Sequence, residues 1–114
     1  MTTIYHNPRC SKSRETLQLL QEKGIEPDVV LYLETPPDAK TLQSLLKKLG
    51  LKPRELMRSK EAEFKEMGLQ APDLSDDQLI AAMVACPKLI ERPIVVNGSK
   101  AALGRPPENV LDIL

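Results

Sequence analysis

Aromatic side chains are scarce in this chain. Its 114 residues include no tryptophan, one phenylalanine and two tyrosines, 3% aromatic in all. With 41% hydrophobic residues, a core must be built from Leu, Ile, Val and Met, and the length suits one domain over residues 1–114. Net charge is missing too: 16 Lys plus Arg balance 16 Asp plus Glu. That balance argues against nucleic-acid binding through bulk charge. No apolar run is long enough to span a bilayer. The start, MTTIYHNPRC, lacks the charged-then-apolar layout of a secretory signal. There are two cysteines. Without a signal they point to a reducing cytoplasm and away from a structural disulfide. No repeat, low-complexity segment or linker stands out, and the ten prolines are scattered.

The stretch HNPRCSKSR at 6–14 is the most informative part of what remains. Cys10 lies between a run that reads as a strand and one that reads as a helix. Arg9, Lys12 and Arg14 crowd it in sequence. Amide dipoles at a helix start and nearby cations both favour a thiolate, and the same arrangement attracts an oxyanion. The expectation is a thiolate nucleophile acting on an anion or a disulfide. Cys86, which ends an apolar helix beside Pro87 with Lys88 as the nearest cation, reads as a packed thiol, with a resolving thiol as the alternative.

Along the chain, 2–6 is rich in β-branched and aromatic types and reads as a first strand, broken at Asn7-Pro8. Ser11 or Ser13 would cap a helix carrying Leu17 and Leu20, with Gly24 as its stop. The nearly continuous apolar run 27–33 reads as a central parallel strand buried on both faces. Residues 38–85 read as wholly helical. Leu42, Leu45, Leu46 and Leu49 share a face, and Ser75 with Gln78 forms a capping box. Arg54 and Lys60 read as solvated. Pro93 to Val96, then Asn97-Gly98, signals a hairpin with 100–103 as partner. Pro106-Pro107-Glu108 opens a final helix with Val110, Ile113 and Leu114 on one face. The expected fold is α/β: a four-stranded mixed sheet, βαβ then ββα, with a helical insertion at about 38–85 between its halves. In open α/β folds the loop that carries Cys10 is where ligands bind.

These residues resemble the glutaredoxin-coupled arsenate reductase family, an ArsC-like chain of the CSKSR type with a thioredoxin-like fold. The resemblance is carried by HNPRCSKSR at 6–14, PRELMRSK at 53–60, LIERPIVVNG at 89–98 and LGRPPENVL at 103–111. It implies that Cys10 is the nucleophile and that Arg58, Arg92 and Arg105 bind the oxyanion. It implies a supporting place for His6, Asn7, Ser13 and Arg14. Pro93 matches the proline, usually cis, that thioredoxin folds set opposite the thiol. Position 13 is serine, so the motif is CxxS and the second thiol must come from elsewhere. The resemblance implies glutathione as reducing co-substrate, glutaredoxin as partner, arsenate as substrate, no bound cofactor or metal, and a cytoplasmic monomer. Better-known members carry Gly-Thr where this chain has Ser11-Lys12. Two rival expectations are a non-enzymatic, Spx-like regulator that binds RNA polymerase and a reductase of another small oxidised substrate.

Overall fold

The computed structural model describes residues 2–114. They form two compact units, one built from the chain up to Thr35 together with Arg92–Leu114, the other from Pro36–Glu91.

The first unit is a four-stranded sheet with one long helix. Strand β1 (Thr2–Tyr5) leads through the loop 6–10 into α1 (Ser11–Glu22), and β2 (Asp28–Val30) follows. After the second unit the chain returns as β3 (Ile94–Asn97), β4 (Lys100–Leu103) and a 3-10 helix, Pro107–Ile113. The spatial order is β2-β1-β3-β4. β1 is parallel to β2 and antiparallel to β3, and β3 is antiparallel to β4. This is the expected thioredoxin-like mixed sheet, βαβ then ββα. Ile4, Leu20, Val95 and Val110 make its core, with Leu17, Ile25 and Ala102 packed against them. The core is aliphatic, as the shortage of aromatics requires.

Three expectations for this unit are corrected. β2 is an outer strand of three residues, not a central one. Val29 is 46% exposed, and the chain turns at once, Glu34 and Thr35 donating their N–H groups to Leu31 O at 2.9 Å. The apolar run 27–33 was therefore misleading: only Tyr32 in it is fully buried. The hairpin turn is Gly98-Ser99, since Asn97 pairs with Lys100. Gly98 has φ +62°, a value that favours glycine at the first position of a two-residue turn. The last helix is 3-10 rather than α. It begins with two prolines that have no N–H to give, and Asn109 N–H bonds three residues back to Pro106 O at 3.0 Å. In that geometry residues three apart align, so Val110 and Ile113 face inward and Leu114 is 42% exposed.

The second unit holds α2 (Ala39–Leu49), a 3-10 turn at Pro53–Leu56, α3 (Ala62–Glu66), α4 (Asp76–Ala85) and a second 3-10 turn, Pro87–Leu89. Local contacts set the ends of α2. Asp38 accepts Thr41 N–H at 2.8 Å, and Gly50 ends α2 in the left-handed region. The Ser75–Gln78 capping box is formed on both sides. Its backbone is not wholly helical, because Met57 and Ile90 form an antiparallel bridge. Arg54 is not solvated: it donates to Leu69 O at 2.7 Å and Ala71 O at 2.8 Å, clamping the loop after α3. Among the described residues, no helix is long and apolar enough to cross a membrane.

Candidate functional site

Strand register brings three distant pieces of chain to one end of the sheet. Tyr5 pairs with Ile94, and Ile94 pairs with Leu103. The loop after β1, the Arg92-Pro93 entry to β3 and the Gly104-Arg105 exit from β4 therefore converge. Cross-links hold them there. Gly104 N–H donates to Pro93 O at 3.0 Å. Arg105 Nη1 donates to Arg92 O at 3.3 Å. The Arg92-Pro93 peptide is cis, the form the resemblance implied for Pro93, and Arg105-Pro106 is cis as well.

Cys10 ends the loop after β1. It is the N-cap of α1, with extended backbone, so neither Ser11 nor Ser13 caps that helix as expected. Its N–H donates to Asn7 O at 3.0 Å, and its carbonyl accepts Arg14 N–H at 3.0 Å. The thiol is buried at 9% exposure and unpaired with Cys86. Burial pushes the Cys10 pKa up. The Ser13 amide, the Arg92 charge, the Lys12 amide and the Arg105 charge push it down, and together they prevail, holding the thiol below its ordinary 9.0. The cations that reach the thiol thus come from elsewhere in the chain, not from its own motif. Lys12 Nζ lies 3.7 Å from Glu15 Oε2 at the surface, Arg14 Nη1 turns back to Pro8 O at 3.0 Å, and Arg9 is exposed. Lys12 contributes through its backbone rather than its ammonium group.

The neighbouring polar residues form a small network. Ser13 is fully buried, and His6 is 6% exposed. Ser13 Oγ accepts Asn7 N–H at 3.0 Å and lies 2.6 Å from His6 Nδ1. The Ser13 hydroxyl has one proton and two lone pairs, so it can accept from Asn7 and still bond His6 Nδ1. Burial lowers the His6 pKa from 6.5, and the Arg14 charge lowers it further, so the ring is neutral at pH 7. Ser13 stands where a CxxC motif would have its second cysteine. Here it ties both ends of the loop, its amide toward Cys10 and its hydroxyl toward Asn7 and His6.

Arg58 lies in the other unit. Glu61 Oε1 holds its guanidinium at 2.7 Å, and Lys88 bonds Glu61 at 3.5 Å and Glu63 at 3.2 Å. Cys86 is half-buried at the end of α4. Sequence reading missed Thr16 and Gly104. The Thr16 hydroxyl donates to Lys12 O at 2.7 Å and to Gly104 O at 3.4 Å, joining α1 to the exit of β4. The only advance signal was a glycine directly before Arg105.

Residues 5–113 match the ArsC family. The chain is 65% identical to a protein of Escherichia coli K12 known as uncharacterized protein YfgD, over 97% of this chain and 94% of that one. It is 54% identical to an arsenate reductase of Haemophilus influenzae, covering 97% of each. The solved arsenate reductase of Vibrio cholerae superposes with a TM-score of 0.98 at 57% identity, over 99% of this chain and 97% of that one.

Proposed function

The chain belongs to the ArsC family, and from that premise we propose that it is a thiol-dependent oxidoreductase that reduces arsenate to arsenite through Cys10. The observation that carries the proposal is the position of Cys10: a buried thiol made acidic by two amides at a helix start and by two arginines, one before β3 and one after β4. A thiol whose pKa is lowered presents more of the nucleophilic thiolate at any given pH. The guanidinium groups that lower its pKa are planar forks of donors suited to a tetrahedral oxyanion. Arg58 is proposed for the same substrate role on its sequence motif alone.

The Cys10 thiolate attacks arsenic(V), and an arsenate oxygen leaves as water after protonation. Charge grows on the remaining oxygens as the sulfur approaches, and fixed cations lower that cost. A second thiol, glutathione, then attacks Cys10 Sγ. The S–As bond breaks with its electron pair on arsenic, which departs as arsenite. Cys10 remains in a mixed disulfide, and glutaredoxin supplies the further thiol that frees it. Arsenic gains two electrons as two thiols become one disulfide. Ser13 cannot supply the second thiol, and in this reading glutathione does.

The test is NADPH consumption with arsenate in the presence of glutathione, glutaredoxin and glutathione reductase. Wild type turns over and Cys10→Ser does not. Absence of arsenate-dependent turnover in wild type refutes the substrate. Turnover of a glutathionylated peptide without turnover of arsenate transfers the proposal to disulfide substrates. Capture of RNA polymerase with neither activity establishes the regulator reading instead.

A further inference from the structure

Glu61, in the second unit, has no part in the chemistry described so far. Its carboxylate sits between two cations. Oε1 accepts from Arg58 Nη2 at 2.7 Å, and Oε2 lies 3.5 Å from Lys88 Nζ. The Arg58 and Glu61 side chains are 23% and 17% exposed, so the pair is largely shielded from water yet reachable. Backbone bonds fix both of its ends. Arg58 N–H donates to Leu89 O at 2.7 Å, and Glu61 N–H donates to Arg58 O at 3.2 Å. Lys88 is itself held by Glu63 at 3.2 Å. A carboxylate in this place weakens the positive charge that Arg58 offers to an anion. It does not close the site, because a guanidinium carries five N–H donors and Glu61 engages it through one nitrogen.

We infer that Glu61 makes the Arg58 site selective for tetrahedral oxyanions that carry a proton. An anion oxygen that accepts from the same guanidinium comes to lie beside Glu61 Oε1. Where that oxygen is a hydroxyl, it donates to the carboxylate in a charge-assisted hydrogen bond. Where it is bare, two negative oxygens meet and the contact repels. Arsenate and phosphate dianions have the hydroxyl. Sulfate has the same charge and shape without it. Lys88 retains Glu61 through its far oxygen while Arg58 takes the anion. This assignment rests on the reading of Arg58 as an oxyanion ligand, and its test involves neither arsenate nor turnover.

The probes are inorganic phosphate and sulfate at fixed ionic strength and mildly alkaline pH, where both are dianions and only phosphate carries a proton. NMR titration of isotope-labelled protein follows the backbone amides of Arg58 and Glu61 and gives both dissociation constants at the site itself. Wild type binds phosphate about tenfold or more tighter than sulfate, the scale of one hydrogen bond to a charged group. Glu61→Gln brings the two affinities within about threefold of each other, mainly by tightening sulfate. An ion pair with only a structural role does not move that ratio. Lys88→Ala leaves Glu61 on Arg58, so both affinities fall and the ratio stays. A wild-type protein that binds sulfate as well as phosphate overturns the assignment. So does a ratio that survives Glu61→Gln or collapses in Lys88→Ala, and either leaves Arg58 as an oxyanion ligand. Binding unaffected by Arg58→Gln overturns the assignment and removes Arg58 from the proposed substrate site as well. Failure of arsenate turnover with these ratios as expected removes the reduction and leaves the selectivity in place.

Discussion

Replacing Gly104 with alanine tests whether the packing at the exit of β4 is as tight as it looks. A Cβ at this position would run into Thr16 Oγ1 and would lie 2.8 Å from Pro93 Cγ and 3.0 Å from Thr16 Cγ2. Neither neighbour yields easily. Thr16 and Pro93 are fully buried, and the Thr16 hydroxyl cannot rotate away without giving up its 2.7 Å bond to Lys12 O. Overpacking of this kind costs about 1–3 kcal/mol. For 114 residues, an unfolding entropy of roughly 2 cal/mol/K per residue converts that cost to a fall in Tm of about 4–12 °C. Thermal unfolding followed by circular dichroism measures it. The same substitution in a Thr16→Ala background removes both threonine contacts and leaves the one with Pro93. There the added cost of the alanine should fall below about 1 kcal/mol, a coupling expected only of residues in contact. A Tm within a degree of wild type, or an equal cost in both backgrounds, refutes the packing argument.

Other outcomes follow from the same contacts. Arg92→Gln and Arg105→Gln each move the pH profile of Cys10 alkylation upward, because each removes a charge that favours the thiolate. Iodoacetamide rates against pH read the shift, and Cys10→Ser abolishes the reaction. Ser13→Ala strips the Asn7 N–H and His6 Nδ1 of their buried partner and lowers stability by about 1–3 kcal/mol in urea unfolding. His6 has a folded pKa below its ordinary 6.5, so the unfolded chain binds its proton more readily. Stability present at neutral pH is therefore lost as pH falls through 6.5 toward the folded value. His6→Asn flattens that part of the stability curve. Ser75→Ala removes a formed capping box and costs about 1 kcal/mol.

The elements were mostly legible because their signals are local. The Ser75–Gln78 capping box and the spacing of leucines each act within one or two turns of chain. The boundaries failed where a distant partner decides. The run at 27–33 is apolar enough for a central strand, but apolar content does not say which strand will lie beside it. The hairpin slipped by one residue because the Asn97–Lys100 pairing, not the Asn-Gly pair itself, fixed where the turn begins.

The site divides in the same way. The sequence by itself determined where the acidic thiol sits, since a cysteine between a strand and a helix acquires the amides of that helix. It also determined the absence of an adjacent second thiol, because Ser13 is written into the motif. Only the tertiary structure decided which charges act on the thiol. Arg9, Lys12 and Arg14 are near Cys10 in sequence, but helix geometry and local bonds turn their charged ends outward. Arg92 and Arg105 are more than 80 positions away, yet two antiparallel pairings deliver them to the end of β1. Charge acts through space, and the strand register set the distances.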